Sequence, residues 1–520
     1  QTCALPIYIR QEILQADPTP LVFSNEAELS QFTETTNDGP HKEQKHSYLP
    51  LIGALIFSII YLLPIMKTSP SEHTCFALLA AVAFLWSTEG LPAFATAYIV
   101  PAFSVWFGLG IDSTTHERIK AETLASTFAW KFMDPIIFVF LGSMAMSECL
   151  SKLNITDRIS NMVFRRFPKK PKFILLTVMM MNLIIAAFLS NVASTTLVLS
   201  FTMPIIRSLD PEDPFIKALL FGIGWSGNCG GMPTTIASPQ NILALKYMHD
   251  SEDVSISFVK WMEFGFPVSI LICLAEWGYL CLRFKPQRER IDTMEVNSTY
   301  PPWSIKHTYA TIITLLTILF WTLEETFPSV LGNVGITSLL PVITFFGSGL
   351  LTTEDFHGIR WSTLALMGGG LALGEAMKLS GLLTLISNAC GDLLKSIPMW
   401  PLLASFLLFE GIIGSLINST SAASILYPVI AILGRSTGHV NLFVCLSALM
   451  ISGAQLFHIS SFPNALVSGV RKHIYGNPEE ITQNTFLLGP EYFTVGWVTL
   501  FIGIIIISSI GYGISLGLGL

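Results

Sequence analysis

The chain has 520 residues, of which 51% are hydrophobic and only 12% charged, with a net charge of -7 and a mean hydropathy of +0.58. Soluble domains carry about 25% charged residues, so this composition excludes an ordinary soluble fold and points to a polytopic membrane protein. The acidic balance offers no broad basic surface for nucleic acid. The eight cysteines show no CxxC or metal-type spacing, and they read as small buried hydrophobes.

Residues 1–7 (QTCALPI) read as the in-frame translation of a sequencing adapter and are set aside from the fold. Residues 8–46 are polar, and 1–46 as a whole are expected to form a cytosolic leader. The first apolar span covers 48–66, long enough for a hydrocarbon core of about 30 Å. Further spans follow at 74–88, 92–108 and 135–150, with Trp86-Ser87-Thr88-Glu89-Gly90-Leu91-Pro92 between the second and third. Residues 151–172 then carry Lys152, Arg158, Arg165, Arg166, Lys169, Lys170 and Lys172 against one acid, Asp157. The positive-inside rule places that loop in the cytoplasm, and counting the spans back places the N-terminus there too.

Residues 173–206 form two apolar halves broken at Ser190-Asn191-Val192. Each half, at about 15 residues, is short for a crossing that takes about 20, so the segment reads as a re-entrant hairpin with a polar tip. Irregular backbone at that depth must be buried in protein or line a cavity. An apolar run at 215–229 leads into Gly230-Gly231-Met232-Pro233-Thr234-Thr235-Ile236-Ala237-Ser238-Pro239-Gln240-Asn241, which reads as a helix broken in mid-membrane. A span at 261–282 closes a first transport repeat over 47–283, and 284–306 reads as a cytosolic linker.

The second repeat, 307–520, follows the same plan. Spans lie near 307–323, 334–350 and 361–379, and a second hairpin has Asn418-Ser419-Thr420 at its tip. A broken helix covers about 440–470, with Arg471-Lys472-His473 closing it on the cytoplasmic side, and a last span covers about 491–515. The whole is expected to hold about 11 transmembrane helices, two re-entrant hairpins and two broken helices. Gly142, Lys152 and Leu153 match Gly368, Lys378 and Leu379 at an offset of 226, and the tips match at 228. Gly230, Ile236, Ser238 and Asn241 match Gly453, Ile459, Ser461 and Asn464 at 223. The orientation count brings the first hairpin in from the cytoplasm and the second from outside. That is an inverted repeat, the plan of many secondary transporters.

Polar side chains at membrane depth need a partner, an ion or a substrate. A hard cation such as sodium takes several oxygens, which Ser190, Asn191 and the Gly230-Gly231 backbone offer in the first half. Ser419, Thr420 and backbone near Gly453 offer them in the second. An anion takes N–H donors, hydroxyls and positive helix ends. Each cluster has a plainer reading as interhelical glue, and the repetition of the pair argues against it. His458 aligns with Thr235 and reads either as a proton or anion contact or as a packing histidine. Glu89, Asp134, Glu148, Glu375 and Glu410 read mainly as helix-end groups. No paired carboxylates, metal cluster or nucleophile–base set suggests an enzyme, and no cofactor beyond a coupling ion is implied.

At these motifs the chain, over about 48–515, resembles the divalent anion–sodium symporter family, whose members carry dicarboxylates, citrate, sulfate or phosphate. The shared markers are the Trp86-to-Pro92 motif, Leu366-Met367-Gly368-Gly369-Gly370, Gly230-Gly231-Met232-Pro233-Thr234, Ser238-Pro239-Gln240-Asn241 and Ser461-Phe462-Pro463-Asn464. The family carries Ser-Asn-Thr at both tips. Here Val192 replaces the first Thr, and Ser419 stands where the second tip has Asn. Those changes weaken a dicarboxylate site and favour a smaller tetrahedral anion. The Ser-Asn-Val tip also resembles the low-affinity phosphate transporter branch of fungi and protists. Members of that branch commonly carry an SPX domain upstream; none is visible here, and the adapter-like start leaves room for one before residue 1.

The resemblance implies sodium-coupled phosphate symport by a homodimer moving its hairpin-bearing part like an elevator, in the plasma membrane or an acidic organelle. The expected phosphate contacts are Asn191, Thr234, Thr235, Thr420 and Ser461. A sodium-coupled dicarboxylate or sulfate symporter, and an anion channel, are the alternatives.

Overall fold

Apolar runs, several of them opened by proline or by an acidic cap, build the helices in the computed structural model. It describes residues 48–63, 70–112, 117–164, 170–252, 256–286, 302–324, 326–386, 388–389, 397–474 and 477–520. The expected leader 1–46 and most of the linker 284–306 lie outside those residues. Pro135, Pro171 and Pro214 each occupy the first helical position, where a missing N–H is harmless. The carboxylates of Asp134 and Asp213 accept the N–H groups of Ile136 and Phe215, an N-cap that satisfies an otherwise orphaned donor.

The chain opens with helices Leu49–Leu62, Pro70–Thr88 and Ala93–Trp106. Helix Ala121–Lys131, unforeseen in the sequence, precedes Pro135–Lys152. The first hairpin has arms Pro171–Phe188 and Asn191–Ser208, and the first broken helix has halves Pro214–Gly230 and Pro239–Glu252. Phe258–Phe284 follows as a 27-residue helix. In the second repeat, Ile305–Leu323 is followed by Val334–Thr337 and Leu339–Gly347, so the span expected at 334–350 is interrupted at Ser338. Trp361–Ser380 comes next, then the second hairpin, Met399–Leu416 and Ser419–Thr437, and a second break between Val440–Ser452 and Phe462–Ser468.

The hairpin arms are 18 residues or longer, rather than the expected 15 or so. At 1.5 Å per residue 18 residues reach about 27 Å, close to the hydrocarbon thickness. Arm length therefore does not decide the re-entrant geometry; the placement of the tips inside the protein does. Both tips turn in two non-helical residues, Leu189-Ser190 and Ile417-Asn418, at the same 228-residue offset. Each second arm also carries an internal proline, Pro204 and Pro428.

Two departures concern the C-terminal part. Arg471–Ile474 pairs antiparallel with Asn477–Thr485, a small β-hairpin on an otherwise helical chain. The last span is Gly489–Ile506, a π-turn at Ile507–Gly511 and Tyr512–Gly517. The indole N–H of Trp400 donates to Ser508 O at 2.8 Å, so a side chain occupies a carbonyl inside the irregular turn, a recurrent setting for such bulges.

The buried apolar residues form two clusters. One joins the N-terminal helices to Leu366, Ala372, Leu373, Ala376 and Met377. The other gathers the hairpins, broken helices and C-terminal helix around residues such as Trp225, Trp261 and Tyr427. The Trp361–Ser380 helix stands between them, and its glycine motif explains how. A Cβ on Gly368 would meet Phe132, one on Gly369 would lie 2.6 Å from Ala97 Cα, and one on Gly370 would meet Ser424. Only glycine lets three elements pack that closely on one helix.

Candidate functional site

Both hairpin tips and both breaks open onto one cavity of about 620 Å³, within the about 300–1,000 Å³ typical of small-molecule sites. Its wall includes Ser190, Asn191 and Val192 from the first tip and Asn418, Ser419, Thr420 and Ser421 from the second. Pro239, Gln240, Ser461 and Phe462 come from the breaks. Glu89, Leu91 and Pro92 come from the motif after the second helix, and Arg360, Ser362 and Thr363 from the start of the Trp361–Ser380 helix.

The tips present helix N-termini to this space. Ser190 Oγ accepts the Val192 N–H at 3.3 Å, and Asn418 Oδ1 accepts the Thr420 N–H at 3.0 Å. Ser461 Oγ likewise accepts the Asn464 N–H at 3.3 Å. The 18-residue arm from Asn191, the 19-residue arm from Ser419 and the 14-residue helix from Pro239 thus all begin at the cavity. Their free N–H groups and dipoles favour negative charge there.

Arg360 adds a full positive charge. Its Nη2 donates to Ser190 Oγ at 3.0 Å, which brings the guanidinium to the first tip. Sequence reading missed it, because a single arginine between a polar loop and an apolar run looks like an interfacial charge. Gln240 was also passed over within its motif. Its Nε2 donates to Ser452 Oγ at 2.9 Å across the two repeats, while its buried Oε1 has no partner.

The expected site residues divide into two groups. Ser190, Asn191, Ser419, Thr420 and Ser461 meet at the cavity. Thr234 and Thr235 do not line it: the Thr234 hydroxyl donates to Ala187 O in the first arm, so the break turns that threonine into the hairpin rather than toward the opening, and Thr235 is buried off the cavity wall. The Gly231 carbonyl accepts from Ser238 Oγ and Asn241 Nδ2, both at 2.7 Å. Its lone pairs hold the break together, which corrects the expectation that it stands free for a cation. A Cβ on Gly231 would still lie 3.5 Å from Asn191 Nδ2, so the glycine sits directly behind the tip. Gly230 packs on Ala186 and Leu183, and Gly453 on Met232. His458 faces the ring of Tyr492, with centroids 6.3 Å apart, and is not on the cavity wall. Asn241 Oδ1 behind the first tip is buried without a partner, an acceptor the sequence did not single out.

The helix-end reading holds for Asp134 and for Glu89, which directly follows helix Pro70–Thr88, but not for Glu375, five residues inside the Trp361–Ser380 helix. Asp134 caps its helix and pairs with Lys246 at 3.2 Å. Glu375 pairs with Lys131 at 2.9 Å. Glu410, by contrast, is buried within the first arm of the second hairpin, where its Oε1 accepts from Ser447 at 2.9 Å.

A family model described as "Citrate transporter" (CitMHS) matches residues 77–452. An uncharacterized transporter of Schizosaccharomyces pombe is 32% identical over 79% of this chain and 47% of its own length. The inorganic phosphate transporter PHO87 of Saccharomyces cerevisiae is 29% identical over 86% of this chain and 47% of its own. The chain thus spans about half the length of these relatives. The sodium-dependent dicarboxylate transporter SdcS of Staphylococcus saprophyticus is 24% identical over 83% of this chain and 88% of its own. In fold, the chain is similar to the YdaH transporter of Alcanivorax borkumensis, with a TM-score of 0.55 at 14% identity over 82% of this chain and 99% of that one. Together with its apolar helices, this likeness bears out the expected helical, polytopic membrane fold.

Proposed function

The chain belongs to the citrate transporter (CitMHS) family, and from that membership we propose that it is a secondary transporter carrying inorganic phosphate in symport with sodium. The observation that carries this reading is the single cavity on which both tips, both breaks and Arg360 converge. A tetrahedral oxyanion finds there a guanidinium fork, the N-termini of three long helices and the hydroxyls of Ser419, Thr420 and Ser461. Val192 supplies an apolar wall where the resemblance expects a hydroxyl, and Ser419 a short hydroxyl where it expects an amide. Both changes suit a compact anion, and the likeness to PHO87 supports the choice of phosphate.

In this reading sodium sits at the Asn191 side-chain oxygen and the Ser190 carbonyl, since the Ser190 hydroxyl is taken by the Val192 N–H and Arg360, backed by the Gly230-Gly231 turn and the unpartnered Asn241 Oδ1. A second ion sits at Ser419 and Thr420 with backbone near Gly453. The likeness to SdcS supports sodium as the coupling ion. Alternating access follows an elevator plan, with the hairpin-bearing part moving in a homodimer; the split of the apolar core into two clusters supports a two-part body.

The opposed entry of the two hairpins also has support. Five ion pairs tie distant segments: Lys131–Glu375, Lys152–Asp355, Lys217–Glu491, Asp134–Lys246 and Lys472–Glu212. The orientation count puts both members of every pair on the same side of the membrane.

A substrate panel in proteoliposomes tests the proposal. Phosphate uptake that saturates and follows a sodium gradient is the expected result. Sodium-driven succinate, citrate or sulfate flux without phosphate flux would instead make it a carboxylate or sulfate carrier.

A further inference from the structure

Glu276 lies inside the Phe258–Phe284 helix, fully buried. Its Oε1 accepts from Gln455 Nε2 at 2.9 Å, and its Oε2 accepts from Cys229 Sγ at 3.4 Å. Cys229 immediately precedes Gly230-Gly231 of the first break, and Gln455 follows Gly453 in the second. Asn228 extends the link, its Nδ2 facing Gln455 Oε1 at 3.5 Å and Asn464 Oδ1 at 3.2 Å. One carboxyl therefore touches both discontinuous helices, behind the cavity and outside its wall.

An ionised carboxylate in a buried membrane site needs a counter-charge, and among the described residues no basic side chain supplies one. The titratable groups facing it are the thiols of Cys229 and Cys273. Charged groups on the elements packed around this helix are placed elsewhere. Lys217 pairs with Glu491, His307 closes a capping box on Ser304, and Lys172 and Arg283 lie near Cys281 and Tyr279.

We propose that Glu276 is a proton-binding site, loaded and emptied as the two breaks move through the transport cycle. A proton fits better than a metal ion because the side chains already facing the carboxyl present N–H and S–H groups, whereas sodium requires a shell of oxygens. The transfer is simple: the carboxylate takes one proton to become the acid and returns it on release. In the charged state both oxygens accept hydrogen bonds. In the acid state the new O–H on Oε2 donates to Cys229 Sγ, a weak acceptor as well as a weak donor, while Gln455 still donates to Oε1. Both states keep both contacts, which a purely structural carboxyl does not require.

The site stands without the phosphate assignment; its coupling to flux rests on the transporter reading. Infrared titration of the purified protein tests the site itself. A protonated-carboxyl stretching band that appears and disappears reversibly with pH, and is lost in Glu276→Gln, is the expected result. Gln455→Leu should shift that titration while leaving the fold intact, which keeps the test decisive if Glu276→Gln does not assemble. In proteoliposomes, Glu276→Gln should flatten the pH profile of uptake. A band that never titrates, or one that sodium removes at fixed pH, overturns the proposal. So does a pH profile unchanged in a folded Glu276→Gln variant.

Discussion

Ser190 and Asn418, 228 residues apart, cap the second arms of their hairpins in the same way: each side-chain oxygen accepts the N–H two residues on, at 3.3 and 3.0 Å. The residues differ and the geometry does not, so the repeat is expressed in backbone conformation as well as in sequence. Ser190 alone also receives Arg360, at 3.0 Å. The two halves of the site are therefore alike in shape and unlike in charge.

In the proposed transport of phosphate, that asymmetry would put the anion's charge at the first tip. Charge-assisted hydrogen bonds contribute about 1.5–3 kcal/mol, roughly a 10- to 100-fold effect on affinity. Arg360→Gln is expected to raise the KM for phosphate by that factor, and Arg360→Lys to restore only part of it, since an ammonium lacks the planar fork. Initial-rate uptake across substrate concentrations checks both; an unchanged KM in Arg360→Gln removes the residue from the site.

Removing either cap should destabilise its hairpin. Loss of an N-cap side chain costs about 0.5–2 kcal/mol, so Ser190→Ala and Asn418→Ala should each lower the Tm in detergent. Restoring Asp or Thr at either position should recover most of the loss. A Tm unmoved by both alanines would mean that the tips are held by packing alone.

Glycine 369 tests the close approach of the Trp361–Ser380 helix to Ala97. Its added Cβ would sit 2.6 Å from backbone Cα, and overpacking typically costs about 1–3 kcal/mol. Gly369→Ala should therefore lower the Tm. Gly278, with nothing within 4 Å of its added Cβ, is the control. Gly278→Ala should leave the Tm unchanged or raise it slightly, because alanine favours a helix over glycine by about 1 kcal/mol.

Asp355, in the short helix Thr353–His357 outside the spans, gives a pH dependence. Burial opposes its charge, but hydrogen bonds from Lys152 and Thr352 outweigh that and hold the carboxyl below its usual value of 3.8. The pair with Lys152 measures 2.5 Å. A depressed folded value stabilises the protein above the unfolded pKa and loses that contribution as pH falls through the folded one. Asp355→Asn should cost about 1 kcal/mol near neutrality, a half-exposed pair's upper range. Denaturation followed from pH 7 to 3 should show the gap between the two proteins closing below about pH 4. A gap constant across that range would assign the loss to something other than the charge.

Much of this arrangement was readable in the chain. Ser190-Asn191 and Asn418-Ser419-Thr420 interrupt apolar runs, and polarity at that depth marks a tip whichever way the arms turn. Gly230-Gly231 and Gly453 mark breaks because prolines follow them, Pro233 and Pro239 in the first and Pro463 in the second, where a helix cannot simply continue. Spacing does not fix where the side chains of a break point, so the cavity expected for Thr234 and Thr235 lacks both, and Thr234 faces the first hairpin instead. Arg360 and Glu276 were hidden for opposite reasons. The first looked like a common interfacial charge, and the second was a lone acid in a long span whose partners, Cys229 and Gln455, come from distant repeats. Helix Ala121–Lys131 and the strands after Val470 lie in stretches read as connections, where no apolar period marks an element.

The most direct test of the central claim is radiolabelled phosphate uptake into proteoliposomes with an imposed inward sodium gradient, comparing the native chain with Asn191→Ala and Thr420→Ala. The account predicts saturable uptake that collapses when the gradient is removed, and loss of that uptake in both variants, one from each tip. Flux that is linear in phosphate, indifferent to the gradient and unchanged in the variants would contradict it.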